Sequence, residues 1–383
     1  MVNRDRLAET FMFLVGIDSV TKDEARIAGE IKKILESLGA ETSVDRAGEK
    51  TGSNTGNLIA RFNGNSQGPP LLLSAHMDTV EPGKGIRPVL KDGVFTSDGT
   101  TILGADDKSA IAVIIEAMKV LKENNLPFAP VEIVLSVCEE IGLLGAKHLD
   151  YSLITAKCGY VLDAEDTEGI VTQAPGSNKF ELKIHGKAAH AGSAPEKGIN
   201  AISLAGKAIG KLELGRIDHE TTCNIGVIEG GIATNIVPDL VTVRGETRSH
   251  DKEKLARITD EIISSFKEVV DNYQPSPGTE GLPRLDIQLE NVFFNTDIPE
   301  DHPVIKLARK AASNIGRKMT LKRSGGGADA NIFFQKGIIT GVLGTGMRDA
   351  HTVQESVRLD DMVRATELIL EIIKVYHEAS STS

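Results

Sequence analysis

Four short apolar runs in the first half of the chain constrain its fold more than any other feature. The runs are NLIARF, PPLLLSAHMD, VEIVLSVCEE and GYVLDAED. The helix-like stretch AIAVIIEAMKVLKE lies between the second and the third. Near-continuous apolar strands that alternate with helices are typical of a parallel sheet covered by helices on both faces. We therefore predict an α/β fold with a mostly parallel central sheet.

Acidic and histidine side chains follow these runs where the predicted strands end or their loops begin. These positions are His76, Asp78, Asp106, Asp107, Glu139, Glu140 and Asp163, and His351 follows a Gly-rich turn later in the chain. Open α/β sheets bind ligands at the carboxyl edge of their strands. Carboxylate and imidazole groups suit divalent metals, and one glutamate would remain as a base. The alternative for the glutamate pair is a helix start, where the helix dipole favours acidic residues.

The pattern of the sequence changes after Gly176. Alternating segments and two amphipathic helices follow in the order strand-helix-strand-strand-helix-strand, which suits a four-stranded antiparallel sheet with two helices on one face. From about His302 the α/β pattern returns. We predict a discontinuous first domain of residues 1–176 and 297–383, and an inserted α+β (ferredoxin-like) lid or dimerisation domain of residues 177–296.

Composition excludes several classes of function. The 43 basic and 54 acidic residues give a formal charge of -11, which argues against nucleic acid as a partner, because phosphate binding requires clustered positive charge. No apolar run approaches the length of a membrane span, so we expect no membrane partner. The three cysteines, Cys138, Cys158 and Cys223, show no CxxC spacing. We expect buried thiols in a cytoplasmic protein.

Five separated motifs resemble, in the right order, those of the M20 family of co-catalytic metallopeptidases, and within it the tripeptide aminopeptidase (peptidase T-like) branch. The motifs are SAHMDTV at 74–80, GADDK at 104–108, EEIG at 139–142, Asp163 after GYVL, and AHTVQES around His351. An aspartate at position 163 resembles the tripeptidase branch, although Glu165 and Asp166 follow in the same turn and are alternatives. The resemblance covers nearly the whole chain.

The resemblance implies a site for two divalent metal ions, with zinc expected and cobalt or manganese as alternatives. Asp106 would bridge the metals, with His76 and Asp163 on one and Glu140 and His351 on the other. Glu139 would then be the catalytic base. The resemblance also implies a cis peptide bond after Asp106.

Further residues have implied supporting roles. Asp78 is expected to accept a hydrogen bond from the ring nitrogen of His76 that faces away from the metal. His190 would stabilise the oxyanion, in some family members from a partner subunit. Asn235 and Arg248 would hold substrate, and Gly326 lies in a glycine run that lets backbone amides approach it. The alternatives are a loop histidine for His190 and a surface salt bridge for Arg248.

These expectations define an exopeptidase that releases the N-terminal residue of short peptides, most simply tripeptides. Within the same fold, the alternative is an N-acyl-amino-acid deacylase or a carboxypeptidase-type amidohydrolase. A non-catalytic peptide-binding relative is a third hypothesis, against which the intact set of ligands and base argues. A homodimer through the inserted domain is also consistent with the sequence.

Overall fold

The computed structural model describes residues 1–274 and 277–380. The chain forms two compact units. We call residues 1–173 together with the chain from residue 297 onward the larger unit, and residues 174–296 the smaller unit. That the smaller unit acts as a lid or dimerisation domain stays a prediction.

The described helices span from four to 22 residues. They are α1 (Arg4–Val15), α2 (Ala25–Ser37), α3 (Gly48–Thr51), α4 (Ala105–Glu123), α5 (Leu144–Lys147), α6 (Ala201–Ile209), α7 (Lys252–Asp271), α8 (Pro303–Asn314), α9 (Asp329–Gln335) and α10 (Leu359–Ser380). None of these described helices combines the length and apolar character that crossing a membrane requires.

The strands of the first half of the chain are β1 (Glu41–Val44), β2 (Leu58–Phe62), β3 (Leu71–His76), β4 (Val89–Lys91), β5 (Val94–Thr96), β6 (Val131–Ser136), β7 (Cys158–Ala164), β8 (Gly169–Ala174) and β9 (Gly176–His185). Those of the second half are β10 (Gly215–Arg216), β11 (Thr221–Gly230), β12 (Leu240–Ser249), β13 (Arg284–Phe293), β14 (Thr296–Asp297), β15 (Thr320–Arg323), β16 (Ile339–Gly344), β17 (Met347–Arg348) and β18 (Ser356–Arg358).

The main sheet of the larger unit has the order β1-β2-β6-β3-β7-β16-β8-β14, and β15 pairs with β8. Its central pairs, β3 with β6, β3 with β7 and β7 with β16, are parallel. Every residue of β3 and β6 is buried, as expected for strands covered on both faces. The predicted α/β fold with a mostly parallel sheet is therefore confirmed.

The smaller unit is an antiparallel sheet of order β10-β11-β12-β9-β13. Along β9 the side chains of Phe180, Leu182 and Ile184 are buried at alternate positions and form a core with α6 and α7. The predicted strand-helix order is present. The structure adds β10, a strand of only two residues that follows α6 and pairs with the start of β11. No alternating pattern in the sequence predicts this strand.

A buried ion pair fastens the N-terminal helix to α4, the helix whose first turn contains Asp106. The Glu116 carboxylate accepts hydrogen bonds from Arg6 Nε at 2.7 Å, Arg6 Nη2 at 2.8 Å and the backbone N–H of Asn3 at 2.8 Å. The side chain of Glu116 is only 1% exposed. Removing the arginine would leave a desolvated carboxylate without its cation.

We expect Arg6→Ala to lower the free energy of unfolding by about 2–3 kcal/mol, because the buried carboxylate of Glu116 loses its charged partner. The matched control is Arg4→Ala, which removes the exposed pair with Asp360 and should have no measurable effect. Urea denaturation followed by circular dichroism measures both. Equal losses in the two variants would contradict the assigned role of the buried pair.

Candidate metal centre

Parallel pairing brings the candidate ligands to one edge of the main sheet. His76, the last residue of β3, pairs with Ser136 of β6, and Ser74 pairs with Val161 of β7. Asp163 is therefore level with His76 on the adjacent strand. Glu139 and Glu140 follow β6 by a few residues, and Asp106 lies in the first turn of α4.

The ligand atoms form two overlapping groups. In each, all ligand atoms lie within 4.8 Å of one another. The first contains His76, Asp106 and Glu140, and the second contains His76, Asp107 and Asp163. The peptide bond between Asp106 and Asp107 is cis, as the resemblance implied.

Asp106 directs its two carboxylate oxygens to different histidines. Its Oδ1 lies 3.0 Å from His76 Nε2, and its Oδ2 lies 3.2 Å from His351 Nε2. The His351 Nε2 atom also lies 3.0 Å from Glu140 Oε2. Ligand atoms about 2.0–2.2 Å from one tetrahedral zinc ion are roughly 3.3 Å apart. The spacing thus fits a carboxylate that bridges two cations.

The charges of the site also fit bound cations. Burial raises the pKa of Asp107, Glu139 and Asp163 well above the usual range of a carboxyl group. Asp107 Oδ1 is buried without a hydrogen-bond partner among the described residues. Divalent cations would supply the positive charge that these desolvated carboxylates need to remain ionised.

Neighbouring carboxylates raise the pKa of both histidines. Hydrogen bonds to Asp106 and then to Glu140 raise the pKa of His351 to about 10. Burial works against protonation of His76, but its bonds to Asp106 and Asp78 leave its pKa well above the usual value. The surrounding carboxylates therefore favour a positive charge at these nitrogens, which is the charge that a bound metal ion would supply.

Asp78 contacts the far ring nitrogen of His76 and makes further contacts that the sequence did not indicate. The Nδ1 atom of His76 lies 2.9 Å from the backbone carbonyl oxygen of Asp78 and 3.5 Å from its carboxylate. The carboxylate instead accepts hydrogen bonds from the backbone N–H groups of Glu139 at 2.9 Å and Glu140 at 3.3 Å. Thr21 donates a third at 2.8 Å. Asp78 thus orients His76 through its main chain and holds the glutamate pair through its side chain.

Glu139 lies beside the two ligand groups. Among the described residues it is a member of neither group. It is 8% exposed, and it interacts electrostatically with His76, Asp163 and Asp329. A carboxylate that is close to a metal site without being a ligand is free to accept a proton.

The remaining predicted site residues lie outside these groups. Gly326 is in the larger unit, where its N–H donates to Ser324 Oγ. His190, Asn235 and Arg248 are in the smaller unit. The His190 Nδ1 atom accepts two backbone hydrogen bonds, and the Asn235 carbonyl accepts one from Ala191. Arg248 forms a salt bridge with Glu246, the alternative that the sequence left open.

The sequence placed Asp107 in the candidate set without an individual role, and it gave no role to Asp329. Asp107 Oδ2 accepts the backbone N–H of His76 at 3.2 Å, so it holds the strand end that presents this histidine. Asp329, 2% exposed at the start of α9, accepts a short hydrogen bond from Ser136. The available signals were the doubled aspartate of GADDK and the acidic residue directly after the glycine run.

Comparisons with known proteins agree with this geometry. The family model described as Peptidase family M20/M25/M40 matches residues 72–375. The uncharacterized protein YqjE of Bacillus subtilis is 43% identical over 375 residues, covering 98% of this chain and 99% of that protein. A Peptidase T of Fusobacterium nucleatum is 30% identical over 308 residues, covering 78% of this chain and 71% of that protein.

Two solved structures are similar over the whole chain. The aminopeptidase PepT of Bacillus cereus superposes with a TM-score of 0.87 at 42% identity, covering 98% of this chain and 99% of that one. A tripeptidase of Staphylococcus aureus gives a TM-score of 0.92 at 37% identity, covering 99% of this chain and 100% of that one. The resemblance that the motifs indicated is confirmed: this chain belongs to peptidase family M20/M25/M40 and is a hydrolase that acts on peptide bonds.

Proposed function

We propose that this protein is a two-metal exopeptidase that releases the N-terminal residue of short peptides, with tripeptides as its main substrates. The observation that carries the proposal is the shared carboxylate of Asp106, whose oxygens lie 3.0 Å from His76 and 3.2 Å from His351. The similar proteins named aminopeptidase PepT and tripeptidase support the substrate class.

In this proposal the site would hold two divalent cations, with Asp106 shared between them. His76 and Asp163 would hold one of them, with Asp107 beside them, and Glu140 and His351 would hold the other. Such a pair would supply Lewis acidity and would lower the pKa of a water from about 15.7 toward roughly 7. Zinc suits this mixture of imidazole and carboxylate donors, and cobalt or manganese are the alternatives.

Glu139 is the proposed base. As water attacks the peptide carbonyl carbon, a carboxylate oxygen of Glu139 accepts the proton, and it then delivers that proton to the nitrogen of the leaving amine as the C–N bond breaks. The Asp78 carboxylate holds the Glu139 backbone in place.

The charge of the site favours a free N-terminus over an acylated one. Seven acidic side chains lie in or beside the ligand groups: Asp78, Asp106, Asp107, Glu139, Glu140, Asp163 and Asp329. Two divalent cations would add four positive charges and leave the ionised cluster net negative. An α-ammonium group would be attracted there, whereas the N-acyl substrate of a deacylase has no positive charge at that position.

We expect the purified protein with zinc to release the N-terminal residue of an unmodified tripeptide. Its kcat/KM for the N-acetylated tripeptide should be at least about 10²-fold lower, because the acetyl group removes the positive charge. Chromatographic product analysis separates N-terminal from C-terminal release. Preferred cleavage of N-acetylated amino acids would show a deacylase instead, and zinc binding without cleavage of any peptide would favour the non-catalytic relative.

Replacement of the adjacent glutamates should separate the base from the ligand. We expect Glu139→Gln to lower kcat by about 10²–10⁴-fold with metal content unchanged, because only the proton acceptor is lost. Glu140→Gln is the matched variant, and it should lose metal as well as activity. Metal analysis after dialysis, together with measurement of kcat, tests both variants. A Glu139→Gln protein with the kcat of the parent would contradict the assignment of Glu139 as the base.

The smaller unit is proposed to act as a lid whose His190 stabilises the oxyanion. Because His190 Nδ1 accepts hydrogen bonds from the N–H groups of Gly192 and Ser193, its neutral ring has the proton on Nε2. An Nε2–H group is the donor that an oxyanion requires. The substrate contacts of Asn235, Arg248 and Gly326 rest on the family resemblance, and Arg248 would have to share its guanidinium with Glu246.

We also propose that the smaller unit forms a homodimer through β11. The short strand β10 covers only Thr222 and Cys223, which leaves the rest of this sheet edge open among the described residues. Val227 and Ile228 are 39% and 50% exposed there, and Ile232 just beyond is 84% exposed. An open apolar edge with few charges pairs readily with another strand. On β13, at the opposite edge, charged side chains alternate.

We expect Ile228→Lys to convert the dimer to a monomer, because it places a charge in the apolar edge. The matched control is Leu289→Lys on β13, where the replaced side chain is also 50% exposed. Light scattering coupled to gel filtration measures the mass of each variant. A wild-type monomer, or two variants of equal mass, would contradict the β11 interface.

The cytoplasm is the proposed location. The structure contains Cys138, Cys158 and Cys223 as free thiols. Burial raises the pKa of each thiol and keeps it in the unreactive protonated form. Free thiols are the state that a reducing compartment maintains.

A further inference from the structure

Glu355 lies in the AHTVQES motif, and it is a buried carboxylate that has no part in the proposed mechanism. Glu355 is only 1% exposed. Its Oε2 accepts the backbone N–H groups of Leu103 and Gly104, each at 2.7 Å, and its Oε1 accepts that of Asp106 at 2.8 Å. Three short bonds from N–H groups to one carboxylate make a strong, charge-assisted contact.

Two of these donors, Leu103 and Gly104, precede α4, and the third, Asp106, lies in its first turn, where the backbone angles of Asp106 and Asp107 are not helical. The residue before the helix, Gly104, has a φ of 74°, which a glycine adopts at low cost, and it has no side chain to cap the helix. Buried backbone N–H groups need an acceptor, and an ionised carboxylate is a strong one. Glu355 provides that acceptor from a position 251 residues away in the chain. The backbone of Asp106 is therefore fixed by a remote residue.

Glu355 also belongs to the turn that presents His351. The Glu355 N–H donates to the Thr352 carbonyl at 3.1 Å, and Thr352 Oγ1 donates to the Asp349 carbonyl at 2.7 Å. The turn is thus closed by its own hydrogen bonds. Through Glu355 it is attached to the backbone of Asp106, whose carboxylate lies 3.2 Å from His351.

We propose that Glu355 is a positioning residue that sets the separation of Asp106 and His351 and thereby the metal affinity of the site. Glu355 touches neither ligand side chain; it holds the two backbone segments at a fixed distance. Residues that orient metal ligands typically change metal affinity by about 10- to 100-fold when they are replaced. The inference rests on the proposed metal-binding role of these two ligands.

The test compares zinc affinities by competition with a chromophoric chelator, without any peptide substrate. In Glu355→Gln, one oxygen becomes an NH₂ group that faces N–H donors, so we expect about 10- to 100-fold weaker zinc binding. Glu355→Asp retains the charge with a shorter reach, and we expect an intermediate loss. If the Glu355→Gln protein does not fold, the zinc affinity of Glu355→Asp provides the test.

Glu132→Gln is the matched control for stability. Glu132 is equally buried, at 1% exposed, and accepts the backbone N–H groups of Thr155 at 2.9 Å and Ala156 at 2.8 Å, away from the ligands. We expect Glu132→Gln to lower the Tm without changing zinc affinity. A residue with a purely structural role at position 355 would behave in the same way.

The outcomes separate this inference from the proposed function. Weaker zinc binding in the Glu355 variants than in Glu132→Gln, at comparable Tm, supports the positioning role. Zinc affinity within about twofold of wild type in either folded Glu355 variant overturns it, since the expected loss is about tenfold or more. A wild-type protein that binds no zinc, cobalt or manganese would overturn the proposed function instead.

Discussion

Parallel pairing of β3 with β6 and β7 is the constraint on which the candidate site depends. Parallel strands end at the same edge of a sheet, so residues that are far apart in the chain meet there. His76 ends β3, Asp163 lies at the end of β7, and the glutamate pair follows β6. An antiparallel arrangement of these strands would put alternate strand ends on opposite edges and separate the ligands.

A second layer of buried carboxylates holds the loops that contain the proposed metal ligands and the proposed base. Asp78 binds the N–H groups of Glu139 and Glu140, Glu355 binds that of Asp106, and Glu24 binds that of Cys138 at 3.0 Å. A buried carboxylate is stable only when hydrogen-bond donors compensate its lost hydration, and here the backbone supplies them. The same hydrogen bonds hold the backbone at Asp106, Glu139 and Glu140, so they compensate the buried charges and also shape the candidate site.

Much of this could be predicted from the sequence, because apolar runs that end in acidic or imidazole residues mark both the strand and its functional edge. The α/β class, the antiparallel pattern of residues 177–296 and the family followed from such local patterns. The contacts of Asp78 did not, since a spacing of two residues does not reveal whether the carbonyl or the carboxylate faces His76. Asp107 and Glu355 lie in the motifs GADDK and AHTVQES, but their contacts are with residues that the fold brings together, and the motifs do not show those contacts.

The sequence by itself determined the element types, the chemistry of the donor set and the family, because periodicity, residue type and motif order are properties of the chain alone. Only the tertiary structure decided which oxygens of Asp106 meet which histidine, that Glu139 lies outside both ligand groups, and that Glu355 binds the backbone N–H groups that lead into α4. The reason is physical: these relations are distances between strand ends and loops, and they exist only after long-range pairing and burial have fixed the backbone.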